Sequence, residues 1–73
     1  MPKFPGLSGQ DIVRALQKMG FEVVRQSGSH IIMRSGSAGC VVPNHKEVKV
    51  GTVNGVLRQA GISAEDFARV LNH

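Results

Sequence analysis

The chain is poor in cysteine and histidine, and this shortage excludes disulfide-stabilised and zinc-stabilised folds. Cys40 is the only cysteine, so an internal disulfide cannot form. One cysteine and three histidines show no spacing typical of a structural zinc site, and we expect neither a metal nor another cofactor. A single free thiol suits a reducing compartment. We therefore expect a cytoplasmic protein.

The chain also lacks tryptophan, tyrosine and long apolar segments. Phe4, Phe21 and Phe67 are its only aromatic residues, which leaves little for stacking nucleobases. No apolar run approaches the roughly 18 residues that a membrane-spanning helix needs. The first residues do not contain the apolar stretch of a secretory signal. We expect no membrane association.

What remains is a small basic chain. Its 73 residues, 41% of them hydrophobic, suit one domain over residues 1–73 with a thin core. Nine Lys and Arg residues against five Asp and Glu give a net charge of +4. This balance favours an acidic partner, either nucleic acid or an acidic protein.

Hydrophobic spacing and turn residues predict one α+β domain. Ser8 and Asp11 form a capping signal for a first helix over about residues 8–19, which Gly20 ends. Three short antiparallel strands follow, and the third is closed by Pro43. Both main helices are expected on one face of the sheet. The predicted strands cover residues 21–26, 30–35 and 40–42, a second helix ends at Gly61, and a short C-terminal helix includes Phe67, Val70 and Leu71.

The segment from Arg25 to Arg34 holds the most informative candidate residues. His30 lies where a turn leads into a strand, and an arginine lies at each end of the segment. A histidine can take or give a proton near neutral pH, and arginines bind phosphate through planar charged groups. If Ile31 and Met33 point towards the helices, His30 and its alternate neighbours point away from them. The pattern therefore predicts a phosphodiester-cleaving site on the uncovered face of the sheet.

A set of short motifs resembles a known family. The motifs occur in one order along nearly the whole chain, and together they are similar to the HicA-type toxins of bacterial toxin–antitoxin pairs. They are Gly20-Phe21, Arg25-Gln26, Gly28-Ser29-His30, Val42-Pro43-Asn44-His45, Gly51-Thr52 and Leu57-Arg58-Gln59-Ala60-Gly61.

The resemblance implies an RNA-cleaving toxin whose fold is similar to the double-stranded RNA-binding domain. It implies that His30, in the Gly-Ser-His motif, is the catalytic residue. It also implies a HicB-type antitoxin that binds the toxin and covers the site until the antitoxin is degraded. The expected substrates are messenger RNA and transfer-messenger RNA.

The chemistry expected of these residues needs no metal. Neutral His30 removes the proton of a ribose 2′-hydroxyl, and that oxygen attacks the adjacent phosphate. His45 is a candidate general acid for the leaving oxygen, although a solvated loop histidine or an RNA contact is the favoured interpretation, and the terminal His73 is not expected to function. The residues expected to contact RNA are Arg25, Ser29, Arg34, His45 and Lys46.

Two other functions remain open from the sequence. The same basic surface suits a non-catalytic RNA-binding module that needs phosphate contacts but no histidine. A protein-interaction domain whose positive face binds an acidic partner is the third possibility.

Overall fold

A computed structural model describes residue 4 and residues 6–71. Residues 1–3, 5, 72 and 73 lie outside the description, and His73 is one of them. The described residues form an α+β domain in which a helix, a three-stranded antiparallel sheet and two further helices follow one another. These elements are α1 (Gly9–Lys18), β1 (Glu22–Ser27), β2 (His30–Ser35), β3 (Ala38–Pro43), α2 (Val50–Ala60) and α3 (Ala64–Leu71).

The predicted capping signal at the start of α1 is confirmed. The Asp11 backbone N–H donates to the Ser8 hydroxyl oxygen at 3.0 Å, and the Ser8 N–H donates to the Asp11 carboxylate at 3.0 Å. This reciprocal pair satisfies backbone donors that a helix start otherwise leaves without partners. Ile12 and Leu16 on the same helix are fully buried. The capping pair thus determines where the helix begins, and the buried Ile12 and Leu16 determine which side of it packs against the core.

The two hairpins of the sheet have turns of the same composition. Gly28-Ser29 joins β1 to β2, and Gly36-Ser37 joins β2 to β3. Each glycine has a positive φ, 58° and 60° respectively, which suits the first residue of a tight hairpin turn. The strand order is β1-β2-β3, so β2 is the central strand. His30 therefore begins the central strand directly after the first turn.

The third strand is longer than the sequence predicts. We expected residues 40–42, with Ser35 to Gly39 as a turn, but β3 runs from Ala38 to Pro43. Only Gly36 and Ser37 are needed to reverse the chain, so the small residues after them join the ladder. Pro43 pairs with His30, and the Val41 N–H two residues earlier points away from β2 to the Gln59 side chain. Because ladder groups alternate in direction, the Pro43 nitrogen also faces away from β2 and no ladder bond is lost.

The helices lie on one face of the sheet, as predicted, and bury that face along β2 and β3, whereas the residues of β1 stay exposed. α1 and α2 both contact β3, while α3 packs against the two other helices. Ile31 is 2% exposed and Met33 is fully buried beneath the helices. Cys40 lies in the same core, and burial raises the pKa of its thiol, which disfavours the reactive thiolate. The largest fully buried side chains are Phe67, Ile12, Leu16, Ile31, Met33, Val42 and Val53.

The start of α1 also holds the loop that follows β3. The Gly9 N–H donates to the His45 carbonyl oxygen at 2.8 Å. The Gln10 side-chain amide donates to the Asn44 side-chain oxygen at 3.1 Å, and the Asn44 N–H donates to the Ser29 carbonyl oxygen at 2.7 Å. We call these three hydrogen bonds the loop clamp. It connects α1, the loop after β3 and the turn that precedes His30.

We predict that Gly9→Ala destabilises the protein whereas Gly55→Ala does not. A Cβ at Gly9 would overlap the Pro43 carbonyl oxygen and lie 2.8 Å from the Asn44 Cα, so backbone must move. The expected loss is about 1–3 kcal/mol of unfolding free energy. Gly55, inside α2, has space, its nearest neighbour being the Arg58 side chain at 4.0 Å, and alanine there should add up to about 1 kcal/mol. Urea unfolding of both variants measures this, and a Gly9→Ala protein as stable as wild type would contradict the close approach.

We also predict that Asp11→Asn removes stability in a pH-dependent way. The Ser8 backbone N–H, then the Ser8 hydroxyl and Arg14, hold the pKa of Asp11 below its ordinary value of 3.8, and partial desolvation opposes them. A carboxyl with a lowered folded-state pKa stabilises the fold above its unfolded pKa, and this contribution disappears as the pH falls through the folded value. The variant should therefore be less stable than wild type at neutral pH, with the difference closing below pH 3.8. Thermal unfolding across this range tests it, and a gap independent of pH would argue against the ionic cap.

Candidate functional site

The side of the sheet opposite the helices carries the predicted site, and we call it the open face. Residues paired across antiparallel strands share a face, and alternate residues of one strand share it too. His30 belongs to this face because Ile31 and Met33 occupy the covered one. The open face consists of Glu22, Arg25 and Ser27 of β1, His30, Ile32 and Arg34 of β2, and Gly39, Val41 and Pro43 of β3.

His30 is accessible at the end of the central strand. Its side chain is exposed, and its cross-strand neighbours are Ser27 on one side and Pro43 on the other. Neither neighbour is charged, and the preceding Gly28-Ser29 turn leaves the end of the face uncrowded. The expected orientation of His30 is confirmed. An imidazole in this position can reach a polymer that lies across the sheet.

The open face carries both predicted arginines together with the histidine. Arg25 pairs with Ile32, the open-face residue next to His30 along β2, and Arg34 is the following open-face residue of that strand. Both arginines are exposed. Alternate residues of a strand are about 7 Å apart, so Arg34, two such steps along β2, lies about 14 Å from His30, whereas Arg25, opposite the intervening Ile32, lies nearer. Both lie in the same direction from His30 along β2, so they can bind phosphates that extend that way from a group held at the imidazole.

A β-bulge in β1 makes the two arginines unequal. The register between β1 and β2 shifts between Val23 and Arg25, so Val24 has no partner in the ladder. The extra residue places Glu22 opposite Arg34 on the open face. A carboxylate there offsets the positive charge of Arg34, while Arg25 faces Ile32. Arg25 is therefore the stronger candidate for a phosphate contact.

The remaining candidate residues lie in the loop after β3 and in the turn beside it. Ser29 lies in the turn beside His30, with its carbonyl oxygen occupied by the Asn44 N–H. Lys46 is exposed in the loop. His45 lines a cavity of about 250 Å³ together with Pro43, Glu47, Val48, Lys49 and Thr52. His30 is not part of that lining, although its cross-strand partner Pro43 is.

Sequence reasoning missed the residues that position this loop. Gln10 and Asn44 meet although they are 34 positions apart in the chain. Gly9 reads as an ordinary helix-start residue, and its close approach to Pro43 depends on how α1 packs. Nothing in the spacing of these residues indicates the contacts. Only the folded arrangement reveals them.

Two negative findings apply to the part of the chain that the structure describes. Its His, Cys, Asp and Glu residues include no group of three placed to hold a metal ion. Its helices include none that combines the length and apolar character needed to cross a membrane.

Comparison with known proteins agrees with the architecture and the motifs. No curated protein matches the chain. The model of the HicA toxin family, described as the HicA toxin of bacterial toxin–antitoxin systems, matches residues 9–62. This range covers well over half of the chain and runs from the first residue of α1 to just beyond α2. The chain therefore belongs to the HicA toxin family and is the toxin of a toxin–antitoxin pair.

Proposed function

We propose that this toxin is a metal-independent endoribonuclease that cleaves messenger RNA and uses His30 as its catalytic residue. The observation that carries the proposal is the placement of an exposed histidine with Arg25 and Arg34 on one face of the sheet. Transfer-messenger RNA is a further substrate of the same chemistry. The protein acts in the cytoplasm, where these RNAs are found.

The reaction is an internal transfer at phosphorus. Neutral His30 accepts the proton of a ribose 2′-hydroxyl, and the 2′-oxygen forms a bond to the neighbouring phosphorus. The bond from phosphorus to the 5′-oxygen of the next nucleotide breaks. The products are a 2′,3′-cyclic phosphate and a 5′-hydroxyl end. The 2′-hydroxyl requirement restricts the reaction to RNA.

The arginines stabilise the charge that develops during this step. The pentacoordinate phosphorus centre carries more negative charge than the substrate, and preorganised cations favour it over the ground state. Arg25 suits this role because an uncharged residue lies opposite it, whereas Glu22 lies opposite Arg34. Arg34, Ser29 and Lys46 hold the RNA on either side. A planar guanidinium can bind two phosphate oxygens at once.

The leaving 5′-oxygen receives its proton from water in this mechanism. His45 is the alternative proton donor, but it lies in the loop after β3 rather than on the open face with His30. We assign His45 a contact with the RNA backbone. Protonation by solvent suits an enzyme with an exposed site and a modest rate.

A HicB-type antitoxin completes the proposal as the partner that restrains the toxin. The open face is uncovered by any described element, so the same surface is accessible to a protein that blocks RNA. An acidic partner surface suits Arg25, Arg34 and His30. Degradation of the antitoxin would expose the face again.

We predict that His30→Ala abolishes RNA cleavage and toxicity, whereas His45→Ala retains most of both. His30 is exposed, so its removal should leave the fold intact, and antitoxin binding should stay largely intact because Arg25 and Arg34 remain. Each variant is induced in bacteria that lack the antitoxin, while growth is followed and RNA ends are mapped in the same cultures.

The outcomes separate the candidate functions. Growth arrest and new RNA ends with wild type only, at equal protein levels, support the catalytic role. RNA cleavage by the His30→Ala protein would exclude that role. RNA binding by the purified wild type without any cleavage would instead identify a non-catalytic RNA-binding module.

We predict that Arg25→Ala and Lys46→Ala each weaken RNA binding and reduce its salt dependence. A cation that contacts a phosphate releases counterions on binding, so each lost contact lowers the slope of log K against log salt by about 0.7 for single-stranded RNA. The measurement is an affinity titration at several salt concentrations. All proteins carry His30→Ala so that the RNA stays intact.

Arg69→Ala is the matched control for this series. Arg69 is also exposed, but it lies on α3 and pairs with Asp66 at 2.8 Å, away from the open face. Its loss should leave the slope unchanged. If the Arg25, Lys46 and Arg69 variants all had the same slope, the proposed phosphate contacts of Arg25 and Lys46 would be contradicted.

A further inference from the structure

The centre of the open face is apolar, which a phosphate-binding surface does not require. Ile32 is half-buried in the middle of β2, between His30 and Arg34 along the strand. Its cross-strand neighbours are Arg25 on β1 and Val41 on β3. Val41 is 39% exposed. Two aliphatic side chains thus meet at a point that the histidine and both arginines surround.

Val41 differs from the other exposed large hydrophobic residues in the described part of the chain. Val23 opposes Met33 on the covered face, Val24 lies in the bulge, and Val50 begins α2. Val41 is the one among them whose ladder partner, Ile32, lies on the face of His30. Its backbone is also fixed, because the Val41 N–H donates to the Gln59 side-chain oxygen at 3.0 Å. The apolar pair is therefore held in place by α2 from the edge of the sheet.

The combination of an apolar centre and a cationic rim suits a nucleotide. A nucleobase has nonpolar faces, and its phosphates are anionic, so one nucleotide presents both chemistries at neighbouring points. Cross-strand side chains on one face have Cβ atoms about 5 Å apart, and His30 lies about 7 Å along the strand from Ile32. A base resting on Ile32 and Val41 would thus belong to a nucleotide adjoining a phosphate at His30.

We propose that Ile32 and Val41 form a contact surface for the base of a nucleotide next to the scissile phosphate. The inference rests on the proposed ribonuclease function and identifies how that site positions its substrate. The contact is aliphatic because Phe4, Phe21 and Phe67 are all buried and His30 is assigned to the chemical step. Contacts to the face of a base do not read its hydrogen-bonding edge, so the surface accepts different bases.

The test combines an altered protein with an altered RNA. The double variant Ile32→Thr, Val41→Thr keeps β-branched residues in the strands but replaces apolar groups with hydroxyls. The RNA is an oligonucleotide that spans a cleavage site mapped with the wild-type protein. Two further oligonucleotides carry an abasic nucleotide, one immediately 5′ and one immediately 3′ of the scissile bond. Val23→Thr, Val50→Thr is the matched control, because both valines are exposed off the open face.

The expected result is a change in KM that depends on the base. Removal of apolar contact area should raise the KM of the open-face double variant about tenfold on the intact oligonucleotide, with kcat within twofold. One of the two abasic oligonucleotides should raise the wild-type KM by a similar factor. For the double variant, that same abasic oligonucleotide should not raise KM any further, because the change in the protein and the change in the RNA remove the same interaction. The control variant should behave as wild type throughout.

Other outcomes overturn the inference in distinguishable ways. If the double variant and the abasic nucleotide each raised KM, and the two factors multiplied when both changes were combined, the apolar pair would not contact a flanking base. An unchanged KM together with weakened antitoxin binding would identify the pair as a protein-binding surface. Absence of any RNA cleavage by wild type would overturn the proposed function and this inference together.

Discussion

The alternation of side chains along β2 is the constraint on which the rest of the structure depends. Ile31 and Met33 supply two of the most deeply buried side chains of a thin core, so their direction is fixed by the hydrophobic effect. Because a strand has a period of two, this choice also directs His30, Ile32 and Arg34 to the uncovered face. A slip of one residue would bury two cationic or ionisable groups and expose the core.

This constraint also explains how much of the fold is predictable from the sequence. The capping pair Ser8 and Asp11, the turn residues and the apolar spacing are all local signals, and they predict the element order and the orientation of His30. No local sequence signal of this kind determines the length of β3. Ser35 to Gly39 consists of residues that favour turns, and only pairing with β2 decides that Ala38 and Gly39 extend the strand.

The candidate site is predictable in its residues but not in their arrangement. Strand alternation identifies the open face, yet the bulge at Val24 carries no sequence signal such as a glycine, and it alone sets Glu22 opposite Arg34. The surroundings of His45 depend on the loop clamp, which joins Gly9 and Gln10 to a loop far along the chain. Contacts of this kind follow from tertiary packing and have no periodicity to detect.

A domain of this size has only one sheet face to spare for function. The helices need the covered face to build a core, and no element formed by residue 4 and residues 6–71 covers the other side. The open face therefore contributes little to the core. The residues of the candidate site are thus different from the residues that stabilise the fold. A substitution at His30 or Arg25 removes an exposed group and leaves the buried contacts unchanged. In the proposed function, the same lack of cover makes the face accessible to two competing partners, the RNA substrate and the antitoxin. On that proposal, mutual exclusion of those partners would follow from shared surface alone and would require no conformational change in the toxin.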